Sequence, residues 1–243
     1  MTSPSNRSGR LGIGIVGAGH VGPIIGAALN GAGHAIVGIS AVSQESRDRA
    51  EAILPGAPIL EVPQLIERSE LVILAVPSSE LEQLVIGLAT INAWQPGQLV
   101  MHTAPELGIG VLAPAVAQGV IPLAIHPAMA FTGTSIDLSR LHESYCAVTA
   151  PTPVLPIGQA LVVEMGAEPV IVAEADRAAY GEAIATATSF SAAIVTQAVG
   201  ILSSLGMESP GAVLAPVVRS AVENALSSAN GGGDGTATID LAL

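Results

Sequence analysis

Gly17-Ala18-Gly19-His20-Val21-Gly22 stands directly behind the apolar run Ile13-Gly14-Ile15-Val16. A buried strand that breaks into glycines and then into a helix makes a site for a dinucleotide pyrophosphate. The first glycine allows the tight turn, and the second lets backbone come close to phosphate. The third lets the helix pack on the strand, leaving free N–H groups aimed at the anion. The spacing alone is a weak signal, but its context is the required one. Pro23 falls in the first helical turn, and Ile24, Ile25, Ala28 and Leu29 form an apolar face. Gly31-Ala32-Gly33 stops this helix, and Ala35-Ile36-Val37-Gly38-Ile39 reads as a second strand. The competing reading is a glycine-rich turn in some other α/β protein.

Strand and helix signals alternate through the first two thirds of the chain. A helix is expected over Ser43–Leu54, a short strand near Ile59-Leu60 and a helix over Val62–Arg68. Leu71-Val72-Ile73-Leu74-Ala75-Val76 is a continuous apolar run, as a strand buried on both faces requires. A helix over Glu80–Thr90, a strand at Gln98–His102, a helix from about Leu107 to Gln118 and a strand at Ile121–Ile125 follow. Tyr145–Thr149 and Pro169–Val172 read as strands around a helix at Ile157–Met165. From Glu174 onward only alanine-rich helical periodicity remains, to Gly206, and Pro210 opens a second helix. The expected fold is therefore α/β: a doubly wound, mostly parallel sheet followed by a smaller all-α domain. Residues 1–10 form a loose polar tail, 11–173 the dinucleotide-binding domain and 174–243 a helical substrate and dimerisation domain. A flexible turn is expected over Ala229–Gly235. The apolar end at Thr236–Leu243 is expected to stop inside an element.

Half of the 243 residues are hydrophobic and 12% are charged, so a large core is easily filled; with 2% aromatics, Ala, Val, Ile and Leu must fill it. The formal net charge of −12 argues against nucleic acid or an anionic membrane surface as partner. No run of about 20 uninterrupted apolar residues suggests a membrane span. All eight basic residues are arginine, so no lysine is available for chemistry. The single cysteine, Cys146, has no partner for an internal disulfide and no companions at metal-ligand spacing. A cytoplasmic protein without a metal site is expected.

In an open parallel sheet, ligands sit at the carboxyl ends of the strands. Besides Gly17, Gly19, His20, Val21 and Gly22, three segments arrive there: Val76-Pro77-Ser78-Ser79, His102-Thr103-Ala104 and His126-Pro127-Ala128-Met129. Ser78 and Thr103 suit a ribose or the nicotinamide carboxamide; the alternative is that such hydroxyls merely cap helices. His126 is the candidate catalytic residue, able to give a proton to the oxygen or nitrogen of a substrate under reduction. The competing role is a structural histidine bonded to backbone. His102, inside a strand, reads as core. At the end of the second strand the chain has Ser40-Ala41-Val42-Ser43, without the acid that holds the ribose hydroxyls of NAD. Ser40, Ser43, Arg47 and Arg49 therefore lean toward NADP, with NAD as the other possibility.

The glycine motif, Ala75-Val76-Pro77, the Leu99–Thr103 strand and above all Ala124-Ile125-His126-Pro127-Ala128-Met129-Ala130-Phe131-Thr132-Gly133-Thr134 carry a resemblance. Together with Glu174-Ala175-Asp176-Arg177-Ala178-Ala179-Tyr180, they resemble a bacterial group that pairs a Rossmann-like NADP domain with a helical C-terminal domain of unassigned function. That group sits with the pyrroline-carboxylate reductases in the 6-phosphogluconate-dehydrogenase-like superfamily. The resemblance implies an NADP-dependent oxidoreductase, a homodimer through its C-terminal helices. It would pass a hydride between nicotinamide and a small carbonyl or imine substrate. A non-catalytic NADP sensor, acting through its helical dimer surface, is the alternative. Two departures stand out: Ser189 where the group often has Asn, and the lack of the segment with which the group usually continues. The absence of lysine excludes the lysine-assisted chemistry of classical hydroxyacid dehydrogenases.

Overall fold

The computed structural model describes residues 10–230; the predicted N-terminal tail, apart from Arg10, and the expected elements after Asn230 lie outside the described residues. The chain divides into two compact units, Met1–Ile184 and Ala185–Leu243. The first contains seven strands: β1 (Gly12–Val16), β2 (Ala35–Ser40), β3 (Leu71–Leu74), β4 (Leu99–His102), β5 (Ile121–Pro127), β6 (Tyr145–Thr149) and β7 (Glu168–Ile171). They form one sheet in the order β2-β1-β3-β4-β5-β6-β7, parallel throughout except for the β5–β6 pair. Strand order reverses between β1 and β3, and this is where a crevice opens in such a sheet.

Alternation along the buried strands builds two cores. Leu71 and Ile73 of β3 enter one cluster with Ile13, Ile15, Met101, Leu123 and Ile125, while Val72 and Leu74 enter the other with Val16 and Val100. Helices α1 (Gly22–Gly31), α2 (Gln44–Ile53), α6 (Ile136–Leu141) and α7 (Leu155–Glu164) supply Ile25, Leu29, Ala50, Leu141, Leu161 and Val162 to the first cluster. Helices α3 (Val62–Arg68), α4 (Ser78–Thr90) and α5 (Ala113–Val116) supply Leu65, Leu81, Val85 and Ala115 to the second. The sheet is covered on both faces, as its apolar strands require.

Three local expectations are revised. The strand at Ile59-Leu60 is a single bridge from Ile59 to Ile39, because Pro55, Gly56 and Pro58 leave too few residues to pair. The helix over Leu107–Gln118 is a 3₁₀ turn at Ile109–Leu112 followed by the one-turn α5. The amides of Ile109 and Gly110, the first of that turn, donate to the Glu174 carboxylate, so the helical stretch begins there and not at Leu107. Helix α6 was not predicted; it is six residues long and organised around the buried Asp137.

The predicted change to continuous helix at Glu174 occurs there, but the first unit extends through Ile184. Helix α8 (Arg177–Ala185) enters the first unit because Arg177 is 1% exposed and bonded to the sheet. Its Nε donates to Thr149 Oγ1 at 2.7 Å, and its Nη2 donates to the carbonyls of Ala124 at 2.7 Å and Ala147 at 3.1 Å. Beyond it come a π-helical segment, Thr186–Phe190, then α9 (Ser191–Ser204) and α10 (Pro210–Asn230). The run Glu174–Ser204 is 31 residues and holds an 18-residue window of mean hydropathy 1.5, long and apolar enough by length and composition to cross a membrane. The second unit, taken by itself, leaves Phe190, Ile194, Ile201 and Leu205 more than half exposed.

His102, fully buried in β4, holds the turn behind its strand: Nε2–H donates to the Gly108 carbonyl at 2.9 Å, and Nδ1 accepts from the Ala104 amide at 3.3 Å. Burial pushes its pKa down to about 4, against a smaller upward pull from the Gly108 carbonyl. The unfolded chain therefore takes up a proton between its ordinary value of 6.5 and about 4 that the folded chain refuses. Stability from this residue is complete above that window and falls as pH drops through it, by on the order of 3 kcal/mol. Urea unfolding between pH 7 and 4.5 is expected to show this slope, and His102→Gln is expected to reduce it, leaving the part that the equally depressed His126 contributes.

Candidate functional site

At the first strand-to-helix corner the glycines play three separable roles. Gly17 has φ +104°, and a Cβ there would lie 2.4 Å from the Ala75 carbonyl oxygen, so only glycine fits. A Cβ on Gly22 would lie 2.2 Å from the Gly17 carbonyl oxygen, which lets the start of α1 press against the turn. A Cβ on Gly19 would meet nothing within 4 Å. The first and third positions are thus filled by protein, and the second opens onto free space.

That space is a cleft of about 470 Å³ lined by Gly17, Ala18, Gly19, Ser40, Ser43 and Pro77, among others. Val42, Val62, Val76 and Leu84 give it apolar walls. Ser40 Oγ accepts the Gly17 amide at 3.1 Å, tying the end of β2 to the glycine turn. Ser43 caps α2, accepting the Ser46 amide at 3.1 Å. Arg49 donates to the Ala18 carbonyl and pairs with Glu45 at 2.7 Å, which occupies the only carboxylate in the first turn of α2. Arg47 stands exposed on α2, its guanidinium with no hydrogen bond or ion pair among the described residues.

Of the other predicted residues, Val76 and Pro77 line this cleft, and the rest lie along the same sheet edge outside it. Leu74, His102 and Ala124 are in register across β3, β4 and β5. Val76-Pro77-Ser78, Thr103 and His126 therefore leave their strands together. Ser78 is the first residue of α4 and makes no side-chain cap bond. Thr103 is buried, its amide donating to the Leu74 carbonyl at 3.3 Å. Val21 is the N-cap residue of α1. His20 is exposed and packs against Gly133, whose Cβ would fall 2.6 Å from the imidazole. The loop that brings Gly133 there is fixed by Asp137, which accepts from the amides of Thr132 at 2.7 Å and Gly133 at 2.8 Å. Burial raises the Asp137 pKa, but these amide bonds outweigh it and hold the carboxyl below its ordinary value.

His126 closes the row. Its Nδ1 lies 2.9 Å from the Tyr180 hydroxyl, with the rings edge to face at 5.7 Å between centroids. The backbone partner expected of a structural histidine is absent among the described residues. Burial and the nearby Arg177 guanidinium push its pKa down to about 4, so the imidazole is neutral at pH 7. The Arg177 guanidinium carbon sits 5.7 Å from the Tyr180 ring centroid. Tyr180 and Arg177 were not among the predicted site residues. Their signal was an i, i+3 pair of large polar groups in a helix whose other residues, Glu182 apart, are small or aliphatic. Among the described residues no three His, Cys, Asp or Glu side chains are grouped to hold a metal. Cys146 is buried, and its thiol pKa is pushed up to about 12, leaving it inert.

Residues 1–127 match the family described as the Rossmann-like domain, and residues 144–232 match a domain of unknown function, DUF2520. No curated protein matches the chain in sequence. A Bacteroides fragilis protein provisionally named an NADP oxidoreductase superposes with TM-score 0.75 at 16% identity, over 88% of this chain and 80% of that one. An imine reductase from Pseudomonas sp. gives 0.65 at 16% identity, over 91% and 76%. Pyrroline carboxylate reductase from Plasmodium falciparum, solved with NADP bound, gives 0.63 at 10% identity, over 92% and 80%. Identities this low establish a shared fold.

The glycine geometry predicts opposite outcomes at two neighbouring positions. Gly22→Ala is expected to destabilise the protein by roughly 1–3 kcal/mol through overpacking, seen in thermal unfolding. Gly19→Ala is expected to leave the melting temperature unchanged and to weaken NADPH binding roughly tenfold or more, seen in fluorescence titration.

Proposed function

We propose that this chain, which belongs to the Rossmann-like domain family, is an NADP-dependent oxidoreductase acting on a small carbonyl or imine compound. The open position at Gly19, facing a cleft between the end of β2 and the start of α4, carries this reading. The cofactor fits the residues present. Free amides at the start of α1 and the glycine turn would hold the diphosphate. Val42, Val62, Val76 and Leu84 would enclose the adenine, and Ser43 and Arg47 would meet the ribose 2′-phosphate. The end of β2 has no acid to repel that phosphate, and Glu45, the nearest carboxylate, is already paired. NAD remains a weaker ligand on the same grounds. NADP-linked names among the structural neighbours agree with this choice.

When bound, the nicotinamide supplies or accepts the hydride. The chain's own contribution is position and a donor. From β1 to β5 the sheet advances three strands, about 14 Å at the usual spacing. His126 therefore stands beyond the glycine corner, on the side toward which the nicotinamide half extends. Ser78 and Thr103 lie between and would orient the ring. His126 would donate to the substrate oxygen or nitrogen.

The exposed apolar stripe of α9, with Ile194, Ile201 and Leu205 at helical intervals, suits a second copy of the chain. We read the protein as a cytoplasmic homodimer through these helices.

Two measurements test this. NADPH oxidation at 340 nm against a panel of keto acids and cyclic imines is expected to reveal turnover. His126→Ala is expected to remove at least about a hundredfold of it while sparing NADPH affinity. Tight NADPH binding without turnover on any substrate would instead favour a sensor. Light scattering is expected to give twice the 24.2 kDa chain mass, and Ile194→Glu with Ile201→Glu a monomer. A monomeric parent protein, or one recovered only with lipid vesicles, would sink the dimer.

A further inference from the structure

Arg177 and Tyr180 sit one turn apart on α8 and meet the edge of the sheet together. Arg177 has no ion pair among the described residues, and its charge is met by Thr149 Oγ1 and the carbonyls of Ala124, Ala147 and Pro105. Two of those carbonyls belong to β5 and β6, and His126 is the next-to-last residue of β5. Gly181, the next residue, has no room for a Cβ, which would fall 2.4 Å from Glu106 Cβ. The helix is thus locked in depth by Gly181 and in rotation by Arg177. From that position Tyr180 points its hydroxyl at His126.

The Nδ1–hydroxyl contact admits two proton arrangements. If Nδ1–H donates to the phenol oxygen, the phenol proton and the bare Nε2 are both left without partners among the described residues. If the phenol donates to Nδ1, only the Nε2–H remains unmatched. Nε2 is not among the buried atoms that lack a partner, so solvent or substrate can reach it. The second arrangement leaves one group for an incoming ligand to satisfy instead of two. The Arg177 cation beside the ring reinforces it, because a nearby positive charge makes a phenol a stronger donor and opposes an imidazolium.

We propose that Tyr180 is a positioning residue that fixes His126 as the neutral Nε2–H tautomer and aims that N–H at the substrate. This rests on the reductase reading for the identity of the acceptor, but not for the tautomer. The site then polarises its substrate through a neutral donor, and a proton that leaves Nε2 is replaced from solvent.

Long-range ¹H–¹⁵N correlation of the imidazole rings reads this directly, with the His126 signal assigned by its loss in His126→Gln. The expected result is a protonated Nε2 and a bare Nδ1 in the parent protein. In Tyr180→Phe, which keeps the ring beside Arg177, the two tautomers are expected to mix. In the same variant kcat is expected to fall about tenfold with the KM for NADPH unchanged, and circular dichroism checks that the variant folds. An Nδ1–H tautomer in the parent, or a tautomer unmoved in folded Tyr180→Phe, overturns the role of Tyr180. Absence of NADPH oxidation with the Nε2–H tautomer intact overturns the donor role and the reductase reading, so the two failures are distinct.

Discussion

The closeness of backbone at the first corner of the sheet is the constraint from which the rest follows. Gly17 abuts the carbonyl of Ala75, and Gly22 abuts the carbonyl of Gly17, at distances no side chain would permit. Because those two contacts are made without Cβ atoms, β1, β3 and the start of α1 converge on one point. The first turn of α1, from Gly22 to Ile25, is buried against the sheet, and the corner opens to solvent just ahead of it at Gly19. A helix with its first amides unmatched invites an anion. The same closeness sets the cleft wall, since Val76 and Pro77 can stand beside the turn only if Ala75 is pressed against Gly17.

At the other end of the site, order comes from a charge rather than from glycines. Burying a guanidinium without a carboxylate is costly unless oxygens replace its water. Here the antiparallel pair β5 and β6 supplies them: the carbonyls of Ala124 and Ala147 and the hydroxyl of Thr149. The only antiparallel pair in the sheet is thus where a helix from beyond β7 is anchored. That anchoring extends the first unit through Ile184, past the change in composition at Glu174.

Much of this was legible in the sequence because it is local. The glycine spacing, the runs at Leu71–Leu74 and Ile121–Ile125, and Pro210 before a helix each act within a few residues. The structure keeps them as β3, β5 and α10. What was missed depends on partners far along the chain. Ile109 and Gly110 give their amides to Glu174, more than sixty residues away, and the helical stretch starts there rather than at Leu107. Helix α6 is too short to show periodicity and exists around one buried carboxylate. His126 could be singled out from the strand before it and the proline after it. Its partner could not, because Tyr180 lies 54 residues on and is aimed by Arg177 and Gly181. Ser40 was expected to face the cofactor. It lines the cleft, yet its hydroxyl is engaged with the Gly17 amide, a bond that only the parallel pairing of β1 and β2 creates.

A chain without lysine has few ways to assist hydride transfer, and the charges that it does place near the sheet edge narrow them further. Arg177 is the nearest cation, yet its N–H groups are turned into the sheet, so it acts on the site as a field rather than as a ligand. That field, with burial, keeps His126 neutral. A neutral imidazole gives up its proton far less readily than an imidazolium, but it carries no charge that must be desolvated when a substrate closes over it. On this reading the developing charge on the substrate is met by a hydrogen bond fixed in direction beforehand, next to a positive field. Both favour an oxygen or nitrogen that gains negative charge as hydride arrives, and both disfavour a substrate that must already be a cation. Among the two substrate classes proposed, the electrostatics of the edge therefore side with the neutral carbonyl over the protonated imine.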